Sequence, residues 1–197
     1  MQRIATSRVV IVGAGLAGLY AALALAPRPV LVISPDPLGE GASSAWAQGG
    51  VAAALAPPDD AAAHAADTLR AGAGLVDAAV AQATTAEARA HVIALTRLGA
   101  PFDRTAGGGY VLSREAAHSF ARVARIGGDG AGAGIMRALI ARVRETPSIQ
   151  ILEGASAEAL RVAVGRVTGV EIAPSVPGGP GPAWIESPAV LLAAGGA

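Results

Sequence analysis

Three glycines, Gly13, Gly15 and Gly18, stand at the spacing G-x-G-x-x-G directly behind the strand-forming run Val9-Val10-Ile11-Val12. In such a pattern the first glycine permits a tight turn, the second lets a diphosphate approach the backbone, and the third lets a helix pack closely on the strand. The diphosphate then faces a helix N-terminus, where unpaired N–H groups and the helix dipole favour negative charge. The residues Gly13, Ala14, Gly15, Leu16, Ala17 and Gly18 are therefore expected to hold a dinucleotide, although the motif does not separate NAD from FAD. An acidic residue closing the next strand would meet a ribose, yet here that strand ends Ile33-Ser34-Pro35 and Asp36 follows between two prolines. Asp36 reads either as that ligand or as a turn-forming residue.

A second candidate is the loop Ser43-Ser44-Ala45-Trp46-Ala47-Gln48-Gly49-Gly50, which joins small hydroxyls, an amide and paired glycines where a flat polar cofactor needs close backbone approach. A third is the string Leu112-Ser113-Arg114-Glu115-Ala116-Ala117-His118-Ser119. His118 reads either as shaping a site or as bonding a nearby loop, while His64 and His91, both in alanine-rich helical stretches, read as ordinary packed or surface residues. Arg122 and Arg125 sit three apart, as on a solvated helix face. No Ser-His-Asp order, nucleophile elbow or metal-ligand spacing is present, and with no cysteine there is no thiolate zinc site, disulfide scaffold or cysteine nucleophile.

The elements that must position these residues follow from period and punctuation. Val9–Val12 as a strand, Leu16–Ala26 as a helix stopped by Pro27 and Pro29, and Val30–Ile33 as a strand buried on both faces make a β-α-β unit over 8–34. That arrangement outweighs the alternative that residues 9–26, which end in an A-x-A pattern behind Arg3 and Arg8, form a signal peptide. Residues 35–58 are irregular and too long for a simple connection, so they read as either a functional loop or a disordered one. Asp59-Asp60 cap a helix to about Arg70, and further helices are expected over Asp77–Thr84, Ala86–Arg97 and Ile135–Thr146, so 59–146 reads as a mainly helical insertion. A short strand is expected at Tyr110-Val111. From Ile149 the period becomes that of strands: Ile149–Leu152, Ala159–Val164, Val167–Ile172, Trp184–Glu186 and Val190–Ala193, with a hairpin turn at Gly165-Arg166. Residues 173–183, rich in Pro and Gly, form a loop barred from a sheet.

Composition bounds the function class. The 197 residues carry 15 basic and 15 acidic side chains, spread along the chain, which excludes a nucleic-acid footprint. All 15 basic residues are Arg. An apolar content of 52% with a mean hydropathy of +0.48 excludes a disordered polymer.

The strings at 9–19, 43–54, 112–119, 127–132 (G-G-D-G-A-G) and 190–197 (V-L-L-A-A-G-G-A), taken in order, closely resemble the L-aspartate oxidases, a branch of the flavoprotein family that includes succinate dehydrogenase and fumarate reductase. The resemblance implies an α/β fold: a Rossmann-like FAD-binding domain, a parallel sheet with a β-meander, interrupted by the helical insertion. It implies FAD, held at its diphosphate by Ala14 to Ala17, contacted by Ser34 after the second strand, wrapped at the flavin by Ser43, Ser44, Ala45, Trp46, Ala47, Gln48, Gly49 and Gly50 with the turn at Gly195 packed on it, and met at the adenosine by backbone groups of Ser156 and Ala157. Trp46 is expected to contact the cofactor rather than fill a core. Glu115 matches a residue that orients the substrate ammonium, for which a carboxylate is apt. Pro35 stands where the family often has Lys, which lowers the expected affinity for FAD. Ser43 stands where the quinone-linked members carry a His bonded to flavin, so the cofactor is expected to be non-covalent and the oxidase branch is favoured.

The implied reaction is L-aspartate to iminoaspartate with oxygen or fumarate as acceptor, in the supply of quinolinate for NAD, in the cytoplasm and coupled to quinolinate synthase. The alternatives are a soluble fumarate reductase-like flavoprotein and an inactive FAD-binding fragment. The family's proton-transfer Arg and carboxylate clamps lie beyond residue 197, so the chain reads as a truncated, N-terminal portion without turnover of its own.

Overall fold

All four residues of Val9–Val12 are buried, as is all of Val30–Ser34, a pattern that only strands covered on both faces tolerate. The computed structural model describes residues 1–195, so Gly196 and Ala197, which close the last string of the resemblance, lie outside the described residues. The order is β1 (Gln2–Ala5), β2 (Val9–Val12), α1 (Leu16–Leu25), β3 (Val30–Ser34), a 3₁₀ turn (Ser43–Trp46), β4 (Gly50–Ala52), α2 (Ala61–Ala71), α3 (Ala78–Arg97), β5 (Leu112–Ser113) and β6 (Val123–Arg125). There follow α4 (Ala131–Arg144), β7 (Ile149–Glu153), β8 (Ala155–Ala163), β9 (Arg166–Pro174), β10 (Ala183–Glu186) and β11 (Val190–Leu192). The chain divides into two compact units, Met1–Trp46 with Met136–Ala197, and Ala47–Ile135.

In the first unit a parallel sheet runs β11-β2-β3-β7, with Val9 to Val12 of β2 paired to Val30 to Ile33 of β3. With α1 between them, β2 and β3 make a parallel β-α-β unit. Helix α1 buries Leu19 and Ala22, and Gly18 is what lets it lie close: a Cβ there would stand 2.0 Å from the Gly13 carbonyl oxygen. A second sheet, β1-β10-β9-β8, stacks its Val170, Ile172, Ala183 and Ile185 against Val10, Val12, Leu31 and Ile33. Strand β1 has no apolar run and escaped the sequence reading; it is tied to β10 by pairing and by an Arg3–Glu186 ion pair of 2.6 Å.

The strands expected after Ile149 all form. The hairpin turn sits one residue earlier than expected, at Val164-Gly165, because Ala163 pairs with Arg166. Both turn residues have positive φ (50° and 69°), as the tight two-residue turn requires. The supposed loop 173–183 is shorter at both ends, since Ala173 and Pro174 pair with Ser156 and Ala155, and Ala183 pairs with Ile172. Proline is tolerated there as the terminal residue of its strand.

The second unit sets α2 and α3 beside a three-stranded antiparallel sheet, β4-β6-β5, so the insertion is helical with a small sheet. Asp60 caps α2, accepting from the Ala63 N–H at 2.7 Å, and Asp77 caps α3, accepting from Ala79 and Val80. The two helices expected over 77–97 are one 20-residue helix. Thr84-Thr85 do not break it, because the Thr85 hydroxyl, buried in mid-helix, donates to the Ala61 carbonyl at 3.0 Å. The strand expected at Tyr110-Val111 lies two residues later, at Leu112–Ser113. Helix α4 starts at Ala131, four residues ahead of the expected Ile135, and buries Ile135, Leu139 and Val143 while Arg137, Arg142 and Arg144 stay exposed.

Candidate functional site

At the C-terminal ends of the parallel strands a cleft of about 300 Å³ is lined by Gly13 to Ala17, Ser34 to Asp36, Glu40 to Ser44 and Ala193 to Gly195. This is where open α/β sheets bind ligands. Gly13 has φ +107° and a Cβ on it would lie 2.3 Å from the Ala193 carbonyl oxygen, so only glycine fits the turn between β2 and α1. Gly15 has ordinary backbone angles; its role is space, since a Cβ there would crowd the Ser44 hydroxyl at 3.3 Å and narrow the cleft. Ser44 Oγ accepts from the Leu16 N–H at 3.1 Å, which ties the 3₁₀ turn to the start of α1. No arginine lines the cleft among the described residues, so a diphosphate lying there would be held by N–H groups and the helix dipole rather than by cations.

Ser34 is buried and its hydroxyl donates to the Asp36 carbonyl at 2.7 Å, which folds Ser34-Pro35-Asp36 along the cleft wall. The Asp36 carboxylate lies over Gly41, where a Cβ would meet it at 1.9 Å. Asp36 thus lines the cleft, and its carbonyl takes part in the turn. Glu40 is a second cleft carboxylate that the sequence reading missed, since it sits in an irregular loop with no periodic signal. Ala193 and Ala194, which lead into Gly195, line the cleft as well.

Of the other expected cofactor residues, Ser43 and Ser44 line the cleft, whereas Trp46 is 81% exposed and Ala45 is absent from the lining. Trp46 fills no core. Ser156 and Ala157 lie in β8, paired with Ala173 and Ile172, and do not line the cleft. Gly195 lines it with φ +81°.

Ala47 to Gly50 belong to the second unit. The Ala47 carbonyl accepts from the Gly132 N–H at 2.9 Å, Gly49 has φ +73°, and Gly50 pairs with Arg125, with no room for a Cβ against the Ala124 carbonyl oxygen at 2.2 Å. Glu115 is exposed, and its Oε1 would be 3.3 Å from a Cβ on Gly49, so the carboxylate and the Gln48-Gly49-Gly50 turn are brought together.

Behind that turn lies a charged knot. Arg122 is not on a solvated helix face; it begins the approach to strand β6 and is completely buried. Its Nε and Nη2 donate to the two oxygens of Asp59 at 2.9 and 2.8 Å, and its Nη1 donates to Asp67 Oδ2 at 2.8 Å. Asp67 also accepts from the Ser119 N–H and hydroxyl, both at 2.7 Å, and from Arg70. Asp59, which looked like half of a helix cap, is here a bidentate partner. Arg125, the other half of the supposed helix face, ends β6 and pairs with Gly50 of β4. The His64 and His118 rings meet edge to face, 5.6 Å apart, so His64 is packed, as expected. His91 faces Glu87 across one helical turn.

Hydrogen bonds from the Ser119 backbone and then its hydroxyl hold the Asp67 carboxyl well below the usual carboxylate range, with Arg122 adding to them against the opposing effect of burial. Burial alone would lower the Arg122 value, but Asp59 and Asp67 outweigh it and the net shift is upward. His64 is lowered by burial first, then by Arg122 and His118. Both His64 and Asp67 are thus stabilising in their deprotonated forms. The His64 contribution is full above its unfolded value of about 6.5 and is lost as pH falls through its lower folded value; the Asp67 contribution is full above about 3.9 and is lost below that. Urea midpoints are expected to fall in two stages on acidification. His64→Gln should remove the upper stage alone, and an unchanged profile in that variant would refute the assignment.

The family described as FAD binding domain matches residues 8–197. The chain is 56% identical to the L-aspartate oxidase of Caulobacter vibrioides over 98% of its own length and 38% of that protein. It is 49% identical to the L-aspartate oxidase of Agrobacterium fabrum over 95% of its length and 35% of that protein. It thus spans little more than a third of these relatives. Among solved structures, E. coli quinol fumarate reductase FrdA superposes with a TM-score of 0.90 at 27% identity, over 100% of this chain and 34% of that one. The Mycobacterium smegmatis Sdh1 complex gives 0.89 at 30% identity, over 100% and 35%.

Proposed function

We propose, because this chain belongs to the FAD binding domain family, that it forms the FAD-holding part of an L-aspartate oxidase. The observation that carries the reading is the Gly13-to-Ala17 turn opening into the cleft, together with the 56% identity to an L-aspartate oxidase. The cleft fits the group: Gly15 leaves open the space that a Cβ would fill, and the turn offers backbone N–H groups at a helix start. Gly13, Ala14, Gly15, Leu16 and Ala17 would hold the diphosphate, Asp36 or Glu40 would accept from ribose hydroxyls, and Ser43 and Ser44 would lie along the cofactor. Ser156 and Ala157 would take part only through backbone groups outside the present cleft lining. Ser43 has no ring nitrogen to bond to flavin, which supports a dissociable cofactor and favours the oxidase over a fumarate reductase-like reading.

When bound, FAD supplies a two-electron acceptor for the α-carbon of aspartate, giving iminoaspartate. What this chain adds is binding and orientation. Glu115 would accept hydrogen bonds from the substrate ammonium, and Gln48, Gly49 and Gly50 would lie along the flavin. Oxygen or fumarate as acceptor, coupling to quinolinate synthase and a cytoplasmic location belong to the same proposal. No helix among the described residues is long and apolar enough to cross a membrane, and none of their His, Asp and Glu groups forms a metal-binding cluster.

The purified chain is expected to be yellow and to release FAD on denaturation; a colourless chain that takes up no added FAD would sink the cofactor assignment. In the full-length enzyme, peroxide release with L-aspartate and none with succinate is the expected result. Peroxide from succinate would move the reading to the fumarate reductase side.

A further inference from the structure

The guanidinium of Arg122 has a second use for Nη1. Besides its bond to Asp67, Nη1 lies 3.2 Å from Nδ1 of His118. Arginine is protonated at any pH a folded protein meets and carries no acceptor. The shared hydrogen must therefore belong to Arg122, and Nδ1 of His118 must offer its lone pair. We propose that Arg122 fixes His118 as the neutral tautomer with its proton on Nε2, making that N–H a hydrogen-bond donor and making Arg122 the residue that positions it.

The surroundings leave His118 little freedom to turn away. Its N–H donates to the Glu115 carbonyl at 3.0 Å, and its own carbonyl accepts from Arg114 Nε at 2.9 Å. The next residue, Ser119, is clamped by Asp67 through both backbone and hydroxyl. A ring flip that placed Cδ2 against Arg122 would forfeit a charge-assisted hydrogen bond inside a buried knot. The titratable and charged groups around the ring are Arg122, Asp67, Asp59, Arg114, Glu115 and the lowered, neutral His64. His118 is only partly buried.

A fixed Nε2–H and the Glu115 carboxylate are then a donor and an acceptor on one short turn. Such a pair suits a zwitterionic ligand, with the carboxylate taking an ammonium and the N–H a carboxylate or carbonyl oxygen. This functional half rests on the aspartate oxidation proposed above; the tautomer does not.

Long-range proton–nitrogen correlation spectra of the ¹⁵N-labelled chain, which has three histidines to assign, read the tautomer directly. The expected result at neutral pH is an unprotonated Nδ1 and a protonated Nε2 for His118. A protonated Nδ1, or a signal averaged over both tautomers, overturns the proposal. Arg122→Lys keeps a cation for Asp59 and Asp67 but removes the fork that also reaches His118. In that variant the preference should be lost, and its persistence would remove Arg122 from the role. Should the variant fail to fold, the wild-type spectrum decides alone, because a protonated Nδ1 cannot face a guanidinium N–H. The outcome is independent of whether the substrate is aspartate. Failure of the oxidase reading alone would instead appear as an intact tautomer with no aspartate-dependent shift of the His118 Nε2–H signal in the full-length enzyme.

Discussion

Replacing Arg122 with methionine is expected to cost about 3–5 kcal/mol of folding stability, the toll of leaving buried charges without their partner. Methionine keeps the length and apolar stem of the side chain but leaves Asp59, with 2% of its side chain exposed, without the cation it bonds, and leaves Asp67, equally buried, with only the exposed Arg70. Charge placed in the interior without compensation is far more costly than a lost surface contact. Arg142→Met breaks an ion pair of nearly the same length, 2.9 Å, but there the side chains are 53% and 65% exposed, and the cost should stay within about 1 kcal/mol. Urea denaturation of the two variants checks this: the midpoint should fall steeply for the first and hardly at all for the second, with similar slopes. Equal, small losses would show that the knot is solvated. If Asp59 and Asp67 are replaced by apolar residues together with Arg122, much of the loss should return, since the penalty lies in orphaned charge rather than in a lost attraction.

That knot is also the clearest case of what the sequence did not disclose. Arg122 and Arg125 have a spacing shared by a helix face and by a strand's neighbours, and nothing local tells a charged residue to be buried; its partners, Asp59 and Asp67, come from 63 and 55 positions away. Long-range pairing of opposite charges leaves no periodic trace. The cleft was far more legible because its makers are local: Val9–Val12 needs two covered faces, the turn needs a glycine at positive φ, and the helix follows at once. Edges were legible only to within one to four residues: α4 starts at Ala131 rather than Ile135, and at Val164-Gly165 cross-strand register decided the turn. The division of α3 into two helices failed for a related reason. A paired threonine lowers helix propensity when seen alone, yet the Thr85 hydroxyl found a carbonyl on the neighbouring helix. Glu40 and β1 carry neither periodicity nor motif, and only tertiary placement brings the first to the cleft and the second to a sheet edge.

The glycines of the cleft separate conformation from space, and their variants should separate the same two effects in FAD binding. Gly13→Ala meets both obstacles, a φ of +107° and a carbonyl oxygen 2.3 Å from the new Cβ. The backbone penalty alone is on the order of 1–3 kcal/mol. The clash adds to it and can be relieved only by moving Ala193 and Ala194, which line the same cleft. FAD affinity should fall by roughly 100-fold, equivalent to about 2.7 kcal/mol. Gly15→Ala keeps an ordinary φ and has only to push the Ser44 hydroxyl by a few tenths of an ångström. Its loss should be nearer tenfold, about 1.4 kcal/mol, and Ser44→Ala in the same chain should recover part of it by removing the crowded atom. Gly108→Asn provides the control: that glycine has φ +83° with nothing within 4 Å of a Cβ, it lies outside the cleft, and asparagine tolerates the conformation. Titration of each refolded chain with FAD, followed by flavin fluorescence, ranks them. If Gly13→Ala binds as tightly as Gly108→Asn, the turn between β2 and α1 does not hold the diphosphate. If Gly15→Ala proves the worst of the three, space beside Ser44 rather than the backbone of Gly13 governs the site.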